Sequence, residues 1–392
     1  MAIVCALIFM CFSLPTAFAE GEIELGDANG DGSVDATDAS AVLRHLVLIE
    51  AIPDELLPFA DADQDEAVSA TDAACILRYV VKIDTIPPST APVPPPVEER
   101  PDLSGKVIFL DPGHGYDSVT GSLYGGRMAV NGLLTYAEAD RVLTFALETK
   151  ALLEEHGATV ILTRSDRYMV GNYVRVSMVH KYALNQLKLY DSELATEPYD
   201  PSILLKIAEY DRLIGIMDAI IGQYRPGTDE DNGELAKLYY FTPYDNSRLR
   251  VIHPDTKLIY EYEKDPRLAN MVYISLHTNA SAGSQSGLNR GLLVYCTDNT
   301  YNPTYYDGYQ AENSLRLGDL LNTHVSEQTG LNKRSEKVII NDYFMTRENN
   351  LPAVLLEIGY HDNADDLAII TADKTPANVA NGILLALSEY FG

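Results

Sequence analysis

No tryptophan occurs among the 392 residues. Sugar clefts usually stack their ligands on aromatic faces, so this absence weighs against a glycosidase, and the 25 tyrosines only partly answer it. Basic residues are also scarce: 29 Lys plus Arg stand against 57 Asp plus Glu, for a net charge of −28. Nucleic acid demands Lys/Arg surfaces and is excluded as a partner. Electrostatic docking on anionic lipid or wall polymer is disfavoured for the same reason. Acid in such excess can instead hold metal ions.

Cysteine is nearly missing. Cys5 and Cys11 lie in the first nineteen residues, which leaves Cys75 and Cys296, both in apolar runs. Two cysteines in separate segments read as buried thiols rather than a disulfide framework. Apolar stretches fit to enter a membrane are missing too, except at the start. Residues 1–19, "MAIVCALIFMCFSLPTAFA", are apolar and end in Ala17-Phe18-Ala19, the small-x-small pattern of a cleaved secretory signal. The run is too short and interrupted for a comfortable span, although no Lys or Arg precedes it. The expectation is an exported, extracellular protein with no membrane span once the signal is removed.

With 46% hydrophobic and 22% charged residues, the remainder reads as soluble and globular. Its length suits two or three domains. Residues 89–104, "STAPVPPPVEERPDLS", are Pro-rich and aperiodic, as in a semi-rigid linker. They separate a small acidic segment, 20–88, from a large one, 105–392.

The small segment repeats itself. "GDANGDGSVDATDASAVLRHL" and "ADADQDEAVSATDAACILRYV" align at an offset of 34 residues, which carries Asp27 onto Asp61, Leu43 onto Leu77 and Arg44 onto Arg78. Asp27, Asn29, Asp31, Ser33, Asp35 and Asp38 occupy positions 1, 3, 5, 7, 9 and 12 of a calcium loop, with Gly32 at the sharp turn. Calcium takes six to eight hard oxygens, and alternating acids on a curling loop supply them. The second loop offers Asp61, Asp63, Asp65, the Ala67 carbonyl, Ser69 and Asp72, with Glu66 where the first has Gly32. A left-handed residue costs a non-glycine something on the order of 1 kcal/mol, so the second site is expected to be weaker. A pair of acidic, solvated helix caps is the plainer alternative.

Position 12 is Asp rather than Glu, and no helix precedes the first loop. This duplicated loop-plus-helix pattern, over residues 26–84, resembles the dockerin domain of cellulosomal enzymes. The resemblance implies a small all-α calcium-binding module that docks on a cohesin domain of a scaffoldin. It assigns partner choice to the residues just before the last ligand, which read Ala36-Thr37 and Ala70-Thr71. Because both repeats read alike, two docked orientations related by a half-turn are expected.

In the large segment, three apolar runs end at chemistry-bearing residues. Val107–Leu110 leads to His114, Met271–Leu276 to His277, and Ala353–Leu356 to Glu357. Such runs read as strands buried on both faces of a helix-covered sheet. Ligands of open α/β sheets bind beyond the carboxyl ends of the strands, so these three side chains could converge. Residues 135–157 show helical periodicity and stop at Gly157. "ATVILTR", 158–164, then returns as a strand, which completes a βαβ unit. Thr135-x-x-Glu138 has capping-box spacing, so a helix cap is the bland reading of Glu138.

In order, "FLDPGHG", Glu138 in "EADRVLTFA", "LLEEHGATVILTR", "SLHTNAS" and "PAVLLEIGY" resemble the zinc-dependent N-acetylmuramoyl-L-alanine amidases. The resemblance covers residues 105–184 and 269–392. It implies a mostly parallel sheet flanked by helices, with His114, Glu138 and His277 as zinc ligands and Glu357 as acid/base. It also implies the substrate, the amide between the MurNAc lactyl group and L-Ala of peptidoglycan. His361, four residues past Glu357, is a candidate for supporting a ligand or touching substrate, while His45, His156, His180, His253 and His324 read as surface.

Two departures from the family pattern stand out. The stretch "YDSVTGSLYGGRMAVNG" between His114 and Glu138 is long and is expected to form an extra loop at the cleft rim. Residues 185–268 form an insertion with a strongly apolar helix over 202–224. It is expected to pack on the sheet edge, or to form a lid over the cleft. The competing functions are a non-catalytic wall-binding module with a fossil site, a zinc peptidase of other specificity, and a glycosidase. No paired-carboxylate pattern supports the glycosidase.

Overall fold

A computed structural model describes residues 23–87, 101–130, 133–194, 200–223, 235–240, 251–281, 284, 286–300, 305–335 and 337–392. The expected signal, 1–19, lies outside the described residues, as does the linker 89–104 apart from 101–104. The chain divides into two compact units, Met1–Glu99 and Arg100–Gly392.

In the first unit, each acidic loop runs straight into a helix. Asp35 caps α1 (Ala36–Leu46) and Ser69 caps α3 (Ala70–Val80), with the short α2 (Leu57–Ala60) between them. Both caps are full capping boxes, closed by Asp38 and Asp72 reaching back to the cap backbone. Ala39 and Val42 of α1 meet Ala73 and Ile76 of α3, with Leu56 and Ala60 completing a small core. This is the all-α module expected.

In the second unit, the apolar runs form β1 (Val107–Pro112), β2 (Gly115–Tyr116), β3 (Leu123–Tyr124), β4 (Arg127–Val130) and β5 (Leu133–Ala137). Then follow α4 (Glu138–Glu155), β6 (Thr159–Leu162), α5 (Asn172–Leu194), α6 (Pro201–Gly222), α7 (Ala236–Tyr239) and α8 (Pro254–Glu263). The remainder is β7 (Met271–Asn279), β8 (Leu293–Cys296), α9 (Ala311–Thr329), β9 (Ile339–Ile340), α10 (Phe344–Arg347), β10 (Ala353–Tyr360), α11 (Ala364–Thr371) and α12 (Thr375–Phe391). A six-stranded sheet has the order β6-β1-β7-β10-β8-β9. Its first four strands are mutually parallel, β8 is antiparallel to β10, and β9 follows β8. Two hairpins, β2–β3 and β4–β5, stand outside this sheet. The mostly parallel, helix-flanked sheet expected from the motifs is therefore what forms.

Both faces of the sheet are covered, which explains the unbroken apolar runs. Ile108, Leu110, Val272, Ile274 and Leu356 face α4, α9 and α12. Val107, Phe109, Met271, Tyr273 and Ala353 face a second core built by α5, α6 and α8. The inserted α6 lies on α5, so the insertion thickens one face rather than extending an edge. The apolar helix needed a partner surface, and the exposed side of α5 provides it. Among the described residues, no helix is long and apolar enough to cross a membrane. Cys296 is buried, Cys75 is half-buried, and both are free thiols.

Candidate metal centre and active site

Strand register brings the site together. β1, β7 and β10 run side by side, and Glu357 lies directly across from His277. His114 sits two residues past the end of β1, and Glu138 opens α4. The capping box read into Thr135 and Glu138 does not form, because Thr135 belongs to β5 and α4 has no side-chain cap. Glu138 is instead buried and aimed at the histidines.

His114 Nε2, His277 Nδ1 and Glu138 Oε1 form a near-equilateral triangle with edges of 3.1, 3.2 and 3.2 Å. Tetrahedral zinc bound at about 2.0–2.1 Å holds such donors about 3.3 Å apart, so the three atoms fit one face of a zinc tetrahedron. Burial pushes the Glu138 carboxyl up, but hydrogen bonds and charge from the two imidazoles hold it well below the usual carboxylate range. Beside them, burial and then the Glu138 charge push Glu357 up to about 8. Among the described residues, Glu357 Oε2 has no hydrogen-bond partner.

The turn that presents His114 is clamped from below. His114 itself takes a left-handed φ of 61°. A strained residue persists only where its surroundings fix it. Arg175 donates to the His114 and Pro112 carbonyls at 2.8 Å each, and Arg164 donates to the Gly113 and Pro112 carbonyls at 3.0 and 3.2 Å. Both arginines are buried. Asp111 anchors Arg175 at 2.7 Å and accepts hydrogen bonds from Ser275 and Thr163. Although burial opposes it, this set holds the Asp111 carboxyl far below its ordinary value. Gly113 is required for another reason: a Cβ there would lie 2.2 Å from the His277 ring.

The segment expected as a rim loop does more than line a rim. Its described part forms the two hairpins, and the Gly126 N–H donates to Glu138 Oε2 at 2.7 Å. Thr278 N–H donates to Oε1 at 3.1 Å. Thr278 Oγ1 also contacts the Tyr136 hydroxyl at 2.6 Å and His361 Nδ1 at 3.2 Å, and the Tyr136 and His361 rings stack at 5.0 Å. His361 is thus buried behind Glu138 rather than facing solvent.

His180, expected at the surface, is fully buried. Its Nδ1 lies 2.7 Å from Glu263 Oε1 and its Nε2 2.9 Å from the Glu348 carbonyl. The long apolar pattern of α5 hid this, because a helix covered on two sides buries polar residues that find partners. Glu348 in turn accepts from Tyr260 and Tyr305 at 2.7 Å each, and Glu263 accepts from Asn350 N–H at 2.6 Å. Among the described residues, none of 185–268 hydrogen-bonds to His114, Glu138, His277 or Glu357.

Sequence reasoning missed Asp111, Arg164, Arg175, Gly126, Thr278 and Tyr136. Three of them had a readable signal: Asp111, Arg164 and Thr278 are polar residues at the end of an apolar strand, and such residues require a buried partner.

In the first unit, both loops curl around their first aspartate. Asp27 accepts from the Gly30, Asp31 and Gly32 amides, and Asp61 from the Asp65 and Glu66 amides. Gly32 has φ 86°, and Glu66, its counterpart, is held at 74°. Carboxylate oxygens of Asp61, Asp63 and Asp65 lie within 4.8 Å of one another. Asn29, Ser33, Asp35 and Ala67 lie on the same loops, while Ala36, Thr37, Ala70 and Thr71 are exposed at the helix starts.

The family model described as N-acetylmuramoyl-L-alanine amidase matches residues 108–187 and 261–389. The dockerin type I model matches residues 25–81. The germination-specific N-acetylmuramoyl-L-alanine amidase of Bacillus subtilis is 24% identical over 297 residues, covering 74% of this chain and 81% of the relative. The catalytic domain of the CwlV amidase from Bacillus (Paenibacillus) polymyxa var. colistinus aligns with 73% of this chain and 98% of its own, at 19% identity and a TM-score of 0.40. The AmiC2 amidase of Nostoc punctiforme aligns with 74% and 98%, at 18% identity and a TM-score of 0.39. The amidase match spans more than half of the sequence and contains the strands, the turn and all four side chains of the centre. The chain belongs to the N-acetylmuramoyl-L-alanine amidase family and carries an N-terminal dockerin domain.

Proposed function

We propose that this is an exported zinc amidase that cleaves the bond between the MurNAc lactyl group and L-Ala of peptidoglycan, tethered through calcium to a scaffoldin cohesin. The observation that carries the reading is the donor triangle of His114, Glu138 and His277 with Glu357 alongside. Two imidazoles and one carboxylate suit a catalytic zinc site that keeps a position open for water. When bound, zinc supplies a Lewis acid for the amide carbonyl and lowers the pKa of its water to about 7.

The remaining work falls to the chain. Glu357 accepts the proton of the attacking water and hands it to the departing L-Ala nitrogen. A group pushed up to about 8 holds a proton well enough to return it, and the cation's charge brings it down toward working pH. Arg164 and Arg175 keep the His114 turn rigid, so that the donors are placed before substrate arrives.

Docking is supported by the first unit's surface. Leu43, Val47 and Ile49 on one repeat and Leu77, Val81 and Ile83 on the other are exposed and matched at the 34-residue offset. Even the left-handed Leu48 and Lys82, with φ 59° and 61°, correspond. Two near-identical apolar faces suit a partner that docks in either orientation.

The test is protein beginning at Glu20, incubated with peptidoglycan with and without a zinc chelator. New L-Ala amino termini that vanish with chelator, without new reducing ends, are the expected result. Reducing ends would mark a glycosidase. Binding to sacculi without release, with zinc present, would mark a wall-binding module.

A further inference from the structure

We propose that His361 is a positioning residue that fixes Glu138 for coordination through a single oxygen; this rests on the zinc reading above. The two Glu138 oxygens have different surroundings. Oε2 is taken by the Gly126 N–H at 2.7 Å, while Oε1 faces both histidines and receives only the weaker Thr278 N–H at 3.1 Å. A carboxylate so divided presents Oε1 alone, and a position stays free for water.

His361 holds both donors in place. Its ring fills the space between Tyr136 and Gly126: it stacks on Tyr136 at 5.0 Å, and a Cβ on Gly126 would lie 2.2 Å from its Cε1. Its Nδ1 meets the Thr278 hydroxyl, whose own amide holds Oε1. Tyr136, Thr278 and His361 are 5, 3 and 3% exposed, so water does not compete for these contacts. The Tyr136 hydroxyl completes the group on Thr278 at 2.6 Å.

A bulge in β10 makes this possible. Glu357 pairs with His277 and Tyr360 with Asn279, so three steps on β10 match two on β7. A one-residue slip turns the following side chains to the other face. Glu357 therefore serves the cleft, while His361 turns toward Tyr136 and α4. β10 and the turn that directly follows it supply both the proposed acid/base and the brace behind a ligand.

The test compares wild type, His361→Leu and His361→Gln for zinc affinity by chelator competition, alongside kcat and KM. Ligand-supporting partners typically contribute 10–100-fold in metal affinity. The expected result is a loss of that size for His361→Leu, with partial rescue by His361→Gln, whose amide can still meet Thr278. Wild-type zinc affinity in His361→Leu would overturn the proposal while leaving the zinc reading intact. A wild type that holds no zinc would overturn the zinc reading itself. Should His361→Leu fail to fold, Tyr136→Phe removes only the hydroxyl on Thr278, and unchanged zinc affinity there would overturn the proposal equally.

Discussion

Glu357 and His277 face each other across neighbouring parallel strands, so the proposed acid/base and a proposed metal ligand are set by backbone register rather than by loops. Replacing Glu357 with Gln keeps the shape and removes the proton acceptor. The expected outcome is a fall in kcat of about 10²–10⁴-fold with zinc content unchanged. In the wild type, activity should climb with pH as Glu357 loses its proton. That climb should lie below the value of about 8 that burial and the Glu138 charge impose without a cation. A kcat profile on zinc-loaded protein measures it, and a climb retained in Glu357→Gln would contradict the assignment.

Asp111 makes stability sensitive to acid. Its carboxyl is depressed in the folded chain, and unfolded aspartate titrates near about 3.9. Its stabilisation is therefore full above about pH 4 and lost as pH falls toward the folded value. Urea melts from pH 7 to pH 3 should show the midpoint dropping at the acid end. In Asp111→Asn the drop should shrink, from a start about 3–5 kcal/mol less stable, because Arg175 is left buried without its partner.

Gly113→Ala tests close approach at the centre. The added methyl would sit 2.2 Å from the His277 ring, with backbone on one side and a ligand on the other. The prediction is lost zinc binding in a chain that still folds, read by metal content and circular dichroism together. Normal zinc content would show that His277 has room to shift.

The second acidic loop carries a removable strain. Glu66 stands at φ 74° where the first loop has Gly32. Relief of about 1 kcal/mol should let Glu66→Gly bind calcium about fivefold more tightly at the weaker site. Calorimetric titration of the full chain distinguishes the two sites, and an unchanged weaker site would place the difference elsewhere.

The strands, the four-residue centre and the paired loops were legible because each advertises itself locally. Apolar runs end at His114, His277 and Glu357, and acids alternate on a fixed spacing. The partners of the supporting residues were not legible, because they are agreements between distant segments. Nothing near Arg175 in the sequence announces the His114 carbonyl, and nothing near His180 announces Glu263, 83 residues away. Glu138 shows the opposite failure. A true local signal, Thr135-x-x-Glu138, pointed to a cap, but Thr135 lies within β5, α4 starts from Ala137 instead, and the carboxylate is left to the histidines.

The family match breaks between residues 187 and 261, yet among its described residues that stretch shows no core of its own. Tyr210, Leu213 and Met217 of α6 share one apolar cluster with Phe109 and Tyr273 of the sheet, and Glu263 completes the contacts of His180. An addition that closes one wall of a shared interior cannot melt by itself. Heating should take residues 100–392 through a single cooperative transition. Shortening the insertion would lower the temperature of that transition for the whole catalytic unit, rather than remove an independent step.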